Sequence, residues 1–119
     1  MGETYIRIRI RALGGTEVEE AHLLVDTGAT YSWISGKTLE RIGVKSSRKM
    51  KFKTINGEIV ERKVGHVLVE YAGDEAPTTT VLAEDGDGNV FGLHGLESLG
   101  LEVDPTTQQI RKSEALLAL

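Results

Sequence analysis

Leu23-Leu24-Val25-Asp26-Thr27-Gly28-Ala29-Thr30 is the stretch on which the reading of this chain turns. Three apolar residues run into one acid, and a small tetrapeptide able to turn follows. An apolar strand is expected to carry Asp26 to a buried place and then break sharply. A carboxylate is expensive to bury unless it is paired or hydrogen-bonded. Asp26 is therefore either a turn cap that accepts backbone N–H groups or a working group.

The flanks read as β structure. Upstream, Tyr5 to Ile10 alternates, with Ile6, Ile8 and Ile10 on one face and Arg7, Arg9 and Arg11 on the other. The arginines read as a solvated face, with a polyanion site as the alternative. Gly14-Gly15 predicts a turn and Glu17 to Val25 the returning strand, so the first hairpin ends at Asp26. Downstream, Tyr31-Ser32-Trp33-Ile34 predicts a short apolar strand. Ser35 then caps a helix of about two turns over Gly36 to Ile42, with Leu39 and Ile42 facing the core and Gly43 ending it.

Lys45 to Lys53 is polar and basic and reads as a solvated loop leading into a strand. Asn56-Gly57, between the strand-like flanks Phe52 to Ile55 and Glu58 to Val60, predicts a hairpin. The returning strand runs through Val67-Leu68-Val69-Glu70-Tyr71, with a kink expected at Gly65. Ala72 to Glu75 is the next turn, and Thr78 to Ala83 another strand. Glu84-Asp85-Gly86-Asp87-Gly88-Asn89 is like a calcium loop only superficially. It lacks the bidentate Glu at the twelfth loop position and the flanking helices, so it reads as an acidic loop.

Val90-Phe91-Gly92 predicts a short strand, and Leu93 to Leu99 a short helix with Leu93, Leu96 and Leu99 at helical spacing, stopped by Gly100. Leu101 to Val103 and Gln109 to Arg111 are expected to pair around Asp104-Pro105-Thr106-Thr107. The apolar tail Ala115 to Leu119 is expected to dock or to serve association.

A chain of 119 residues fits one domain, 1–119, with a sizeable core. The formal net charge of -4 argues against nucleic acid as the main partner. The absence of Cys excludes disulfides, a thiol nucleophile and Cys-ligated metal, and fits the expected cytoplasmic location. The start lacks an apolar signal-peptide core, and no apolar run is long enough to span a membrane. His22, His66 and His94 show no metal-ligand spacing, so neither metal nor cofactor is expected.

Asp26-Thr27-Gly28-Ala29 resembles the Asp-Thr-Gly-Ala/Ser signature of aspartic proteases. Apolar residues precede it, Trp33 lies seven residues beyond the acid, and Val90-Phe91-Gly92 leads into a Leu-rich helix as in retropepsins. A hairpin with Asn56-Gly57 at its tip stands where that family has its flap. The resemblance covers roughly Ile8 to Val103, and it is to a cellular, prokaryotic-type retropepsin rather than a viral one. It implies an all-β fold: a retropepsin-like closed barrel (the acid protease fold) with one or two short helices and a flap hairpin. The chain departs from viral members at its N-terminus, which lacks their dimer-sheet strand, and in an added hairpin after Val103. Thr30 replaces their acid and Leu93 their helix Arg. The flap tip has a single Gly, and His94 stands where Asp or Asn is common.

Aspartic proteolysis needs two carboxyls sharing one proton around a water, because two like charges at close range cannot both ionise. The chain holds one Asp-Thr-Gly. Asp74, Asp85, Asp87 and Asp104 lie in turns without an apolar lead-in, so a two-fold homodimer is expected to supply the second Asp26. The resemblance implies that Thr27 bonds across the dimer and that Gly28 makes room for the substrate backbone. Ala29 and Thr30 would floor the cleft. Ile55, Asn56 and Gly57 would close over an extended peptide or unfolded protein segment. Trp33, Val90 and Ile55 would wall its pockets, with a core place beneath the flap as the alternative for Trp33. The hairpin 101–112, with the tail, is the expected dimerisation element. Two other functions remain open on the sequence: an inactive retropepsin-fold module that binds peptides, and a structural homodimer held by its Asp26 loops.

Overall fold

A computed structural model describes residues 3–113. Its first strand, β1 (Tyr5–Ala12), buries Ile6, Ile8 and Ile10 almost completely and keeps the arginines outside. Each such isoleucine contributes about 2 kcal/mol relative to exposure. Two of the outward arginines meet acids: Arg9 lies 3.7 Å from Glu70, and Arg11 lies 2.5 Å from Glu75. β1 pairs antiparallel with β2 (Val18–Asp26) in the register Ile6↔Leu23, Ile8↔Ala21. The hairpin expected from alternation is present.

Next come β3 (Ser32–Ser35) and α1 (Gly36–Arg41). The Ser35 hydroxyl accepts from the Thr38 N–H at 3.4 Å, and Leu39 and Ile42 are buried as the spacing predicts. The flap hairpin follows as β4 (Ser46–Lys53) and β5 (Ile59–Tyr71), and then β6 (Asp74–Ala83) and β7 (Val90–Gly92). After α2 (Leu93–Ser98), β8 (Leu101–Val103) and β9 (Ile110–Lys112) form a separate two-stranded sheet.

Strand order in the main sheet is β1-β2-β7-β3-β6-β5-β4, with β1 paired again to β5. That last pairing closes six strands into a barrel and leaves β4 as an appended strand. The all-β barrel with two short helices and a flap hairpin agrees with the fold expected from the sequence. Its core gathers the β1 isoleucines with Val67, Val69, Leu39, Phe91 and Leu96.

Local expectations differ in three places. Residues 46–53 are a regular strand rather than a loop, because Met50 and Phe52 alternate inward between exposed lysines and the ladder to β5 is continuous from Arg48 to Lys53. β5 runs unbroken through Gly65; the irregularity lies on β4, between Ser46 and Arg48. β6 begins at Asp74, because Ala72 and Gly73 alone make the turn, both at positive φ. Of the three leucines at helical spacing, Leu96 and Leu99 are buried and Leu93 is 39% exposed. The tail 115–119 lies outside the described residues.

Candidate active site

Asp26 is the last residue of β2, paired in parallel with Gly92 of β7. β2 sinks Leu23 into the core and then leaves the barrel wall, so that Asp26, Thr27 and Gly28 are exposed. The burial expected of Asp26 from its apolar lead-in is therefore not met within one chain. Its carboxylate accepts the Gly28 N–H at 2.9 Å, while its carbonyl accepts the Ala29 N–H at 3.1 Å. This is a tight Asx-type turn, which Asp and Gly favour.

The turn is bolted from below. The Ala29 and Thr30 carbonyls accept the N–H groups of Leu93 and His94 at 2.8 and 2.9 Å, which also satisfies two donors in the first turn of α2. Gly92 sits so close beneath that an added Cβ would lie 2.6 Å from the Tyr31 backbone and 2.8 Å from the Ala29 carbonyl oxygen. Its N–H donates to the buried Ser32 hydroxyl at 2.9 Å, and the buried Thr80 hydroxyl donates to the Ser32 carbonyl at 3.1 Å. Ser32 and Thr80 are supports that sequence reasoning missed. The available signal was the alternation of Ser32 with Ile34, which puts both on the buried face of β3.

A cleft of about 720 Å³ opens on one side of Asp26. Gly28, Ala29, Thr30 and Trp33 line its floor, and Met50 to Ile55 its roof. Trp33 is half-buried, with its ring edge-on to Phe52 at 5.2 Å. A smaller recess of about 360 Å³ joins Asp26 and Trp33 to Val60, Arg62, Asp87 and Val90. Of the expected substrate contacts, Ala29, Thr30, Trp33, Ile55 and Val90 border one or the other space. Ile55 at the flap tip is fully exposed, and Asn56 and Gly57 project beyond both spaces. The tip is a turn closed by Gly57 N–H to Thr54 carbonyl at 2.9 Å, with Gly57 at φ +85°. Positive φ falls on Gly57 and not on Asn56, so the tip is one residue longer than the two-residue turn that Asn-Gly suggests.

Arg62 and Asp87 were also missed. The guanidinium holds both carboxylate oxygens, at 2.8 and 3.0 Å, and the carboxylate further accepts the Glu84 N–H at 2.8 Å. Hydrogen bonding from Arg62 holds the Asp87 carboxyl below the usual aspartate range and raises Arg62. The acidic loop is thus tied to β5 through its own Asp87. No metal-like cluster of His, Asp and Glu exists among the described residues. His66 and His94 each contact a threonine hydroxyl, Thr79 and Thr78.

On the other side of Asp26 lies a groove of about 720 Å³, which includes Thr27, Leu24, Leu93, Leu101 and Val103. Among the described residues, Asp26 alone of the five aspartates is in no ion pair. Asp74 meets Lys112, Asp85 meets Lys37, Asp87 meets Arg62 and Asp104 meets Arg111.

A closed barrel with an Asp-Thr-Gly turn, anchored by a buried glycine strand and roofed by a hairpin, defines an aspartyl-protease-like fold. A model of the gag-polyprotein putative aspartyl protease family matches residues 14–108, and the chain belongs to that family. No curated protein matches the chain at a significant level.

Proposed function

We propose that the chain is an aspartic endopeptidase whose active site is completed by a second copy of itself. The observation that carries this reading is Asp26: the one aspartate without a cationic partner among the described residues, exposed on a hydrogen-bonded turn between a cleft and a second groove. In a two-fold dimer across that groove, two Asp26 carboxyls would share one proton. The ionised one takes a proton from water, whose oxygen attacks the scissile carbonyl carbon. The protonated one donates to the carbonyl oxygen. The tetrahedral intermediate then collapses, the C–N bond breaks, and the leaving amine takes a proton back from the dyad.

The surroundings fit these steps. Gly28 leaves room for a peptide backbone where a side chain would intrude. Thr27 borders the groove and would bond across the dimer. The β4–β5 hairpin would close over an extended substrate and exclude water, and strand-like pairing would supply affinity. The separate β8–β9 sheet, whose Leu101 and Val103 line the groove, is the proposed dimer contact.

The test is Asp26→Asn, assayed on casein and on unfolded peptides from acidic to neutral pH. Pepstatin-sensitive cleavage should vanish while dimer mass and circular dichroism stay unchanged. Wild type that cleaves nothing at any such pH would leave a peptide-binding module, and an Asp26→Asn dimer that falls apart would make the carboxylate structural.

A further inference from the structure

The cations of this acidic chain are divided sharply by their partners. Outside the flap hairpin every described Lys and Arg except Arg7 and Lys45 lies in an ion pair. Within it, Arg62 is paired, while Arg48, Lys49, Lys51, Lys53 and Lys63 have no carboxylate of a described residue within salt-bridge distance. The lysines are also ordered. Lys49, Lys51 and Lys53 recur at every second position of β4, on the face opposite Met50 and Phe52. Successive ones therefore stand about 7 Å apart along the strand.

The arrangement costs stability. Lys49 lies directly across from Lys63 in the β4–β5 register, and like charges directly opposite are destabilising. Only Glu61, opposite Lys51, brings an acid to this face, and it forms no ion pair there. Among the described residues, β4 has no strand on its other edge, so its backbone groups are open to pairing. Lysines on an open edge also deter aggregation, but that needs no row of them beside a cleft. Lys51 and Lys53 border the cleft above Asp26.

We propose that the β4 edge is a recognition strand for extended polypeptide segments with carboxylates at alternate positions. An extended segment laid along β4 puts every second side chain on one face. Glu or Asp at those positions meets Lys49, Lys51 and Lys53 in turn. Because β4 roofs the cleft, the acidic stretch flanks the bond that is cut. The substrate class becomes unfolded chains with an acidic flank. The cleavage part rests on the endopeptidase reading; the binding part does not.

The experiment uses three fluorescent peptides sharing one apolar centre and differing in one flank: alternating glutamate and threonine, glutamine and threonine, or lysine and threonine. Binding is read by anisotropy on the full chain, and cleavage by kcat/KM. The glutamate peptide should exceed the lysine peptide by about tenfold at low salt, with the gap closing as ionic strength rises. In the triple variant Lys49→Glu/Lys51→Glu/Lys53→Glu the order should invert. That ratio holds its meaning whatever overall activity the variant keeps.

Charge discrimination in binding without any cleavage sustains the recognition strand and removes the protease. Asp26-dependent cleavage with no discrimination, or with the same order in the variant, overturns the recognition strand and keeps the protease. Equal displacement of the glutamate peptide by single-stranded DNA of matching length would reassign the edge to nucleic acid. A change of solution mass in the charge-reversal variant would reassign it to self-association. Either result overturns the proposal.

Discussion

Gly92 shows how much of this site rests on a missing side chain. A methyl group there would press on the Tyr31 backbone at 2.6 Å, and backbone cannot swing aside as a flexible side chain can. Gly92→Ala should therefore cost about 3 kcal/mol, at the upper end for overpacking. Ser32→Ala leaves the Gly92 N–H buried without an acceptor and should cost about 1–3 kcal/mol. Denaturant midpoints measure both. If either variant matches wild type, the support beneath Asp26 has been misjudged. Val90-Phe91-Gly92 was legible in the sequence as an apolar run ending in Gly. Its anchor was not, because Ser32 is 60 residues away and a lone serine in an apolar strand carries no label.

Between elements, the Arg62–Asp87 pair ties β5 to the loop before β7, so the flap arm and the far wall of the recess are held as a unit. Asp87 is held below the usual aspartate range when folded. The stabilisation this gives is complete above the unfolded value and disappears as pH falls through the lowered folded one. Asp87→Asn should thus be less stable than wild type near neutrality, by about 1–2 kcal/mol for a partly buried bidentate pair. The two proteins should converge only once pH drops below the ordinary carboxylate range. Melting temperatures across pH 2 to 7 check this; a constant difference over that range would exclude the ion pair as the cause. The tie therefore survives the mildly acidic conditions in which carboxyl dyads work. None of this was legible, since Arg62 falls in the returning strand and Asp87 in an acidic loop, with no spacing that joins the two. Charge hid β4: the lysines masked the inward alternation of Met50 and Phe52.

For the whole molecule, the closed barrel was legible from period-two alternation, turn glycines and family resemblance together. The surroundings of Asp26 were not. A strand of apolar residues reads as burial, yet its final residue is exposed beside a groove of mixed apolar and acidic lining. Leu93, at the start of α2, opens onto that same groove. Because it is already exposed, Leu93→Arg should leave the fold intact. If the groove joins two copies, the variant should sediment as a monomer and lose cleavage altogether, and wild type should lose specific activity on dilution. A fully active Leu93→Arg dimer would move the contact elsewhere.

Closure of the barrel gives the chain a direction under force. β1 is laddered along both edges, to β2 and to β5, with strands running antiparallel to it. Tension applied from its leading end loads those ladders in shear, where many bonds must fail together. Among the described residues, tension applied at Ser113 first meets β9, three residues paired there only with β8 outside the barrel, which can be peeled off a bond at a time. An unfolding motor that grips the trailing end would therefore dismantle the sheet that lines the groove while the barrel still stands. One that grips the leading end would have to break the barrel first.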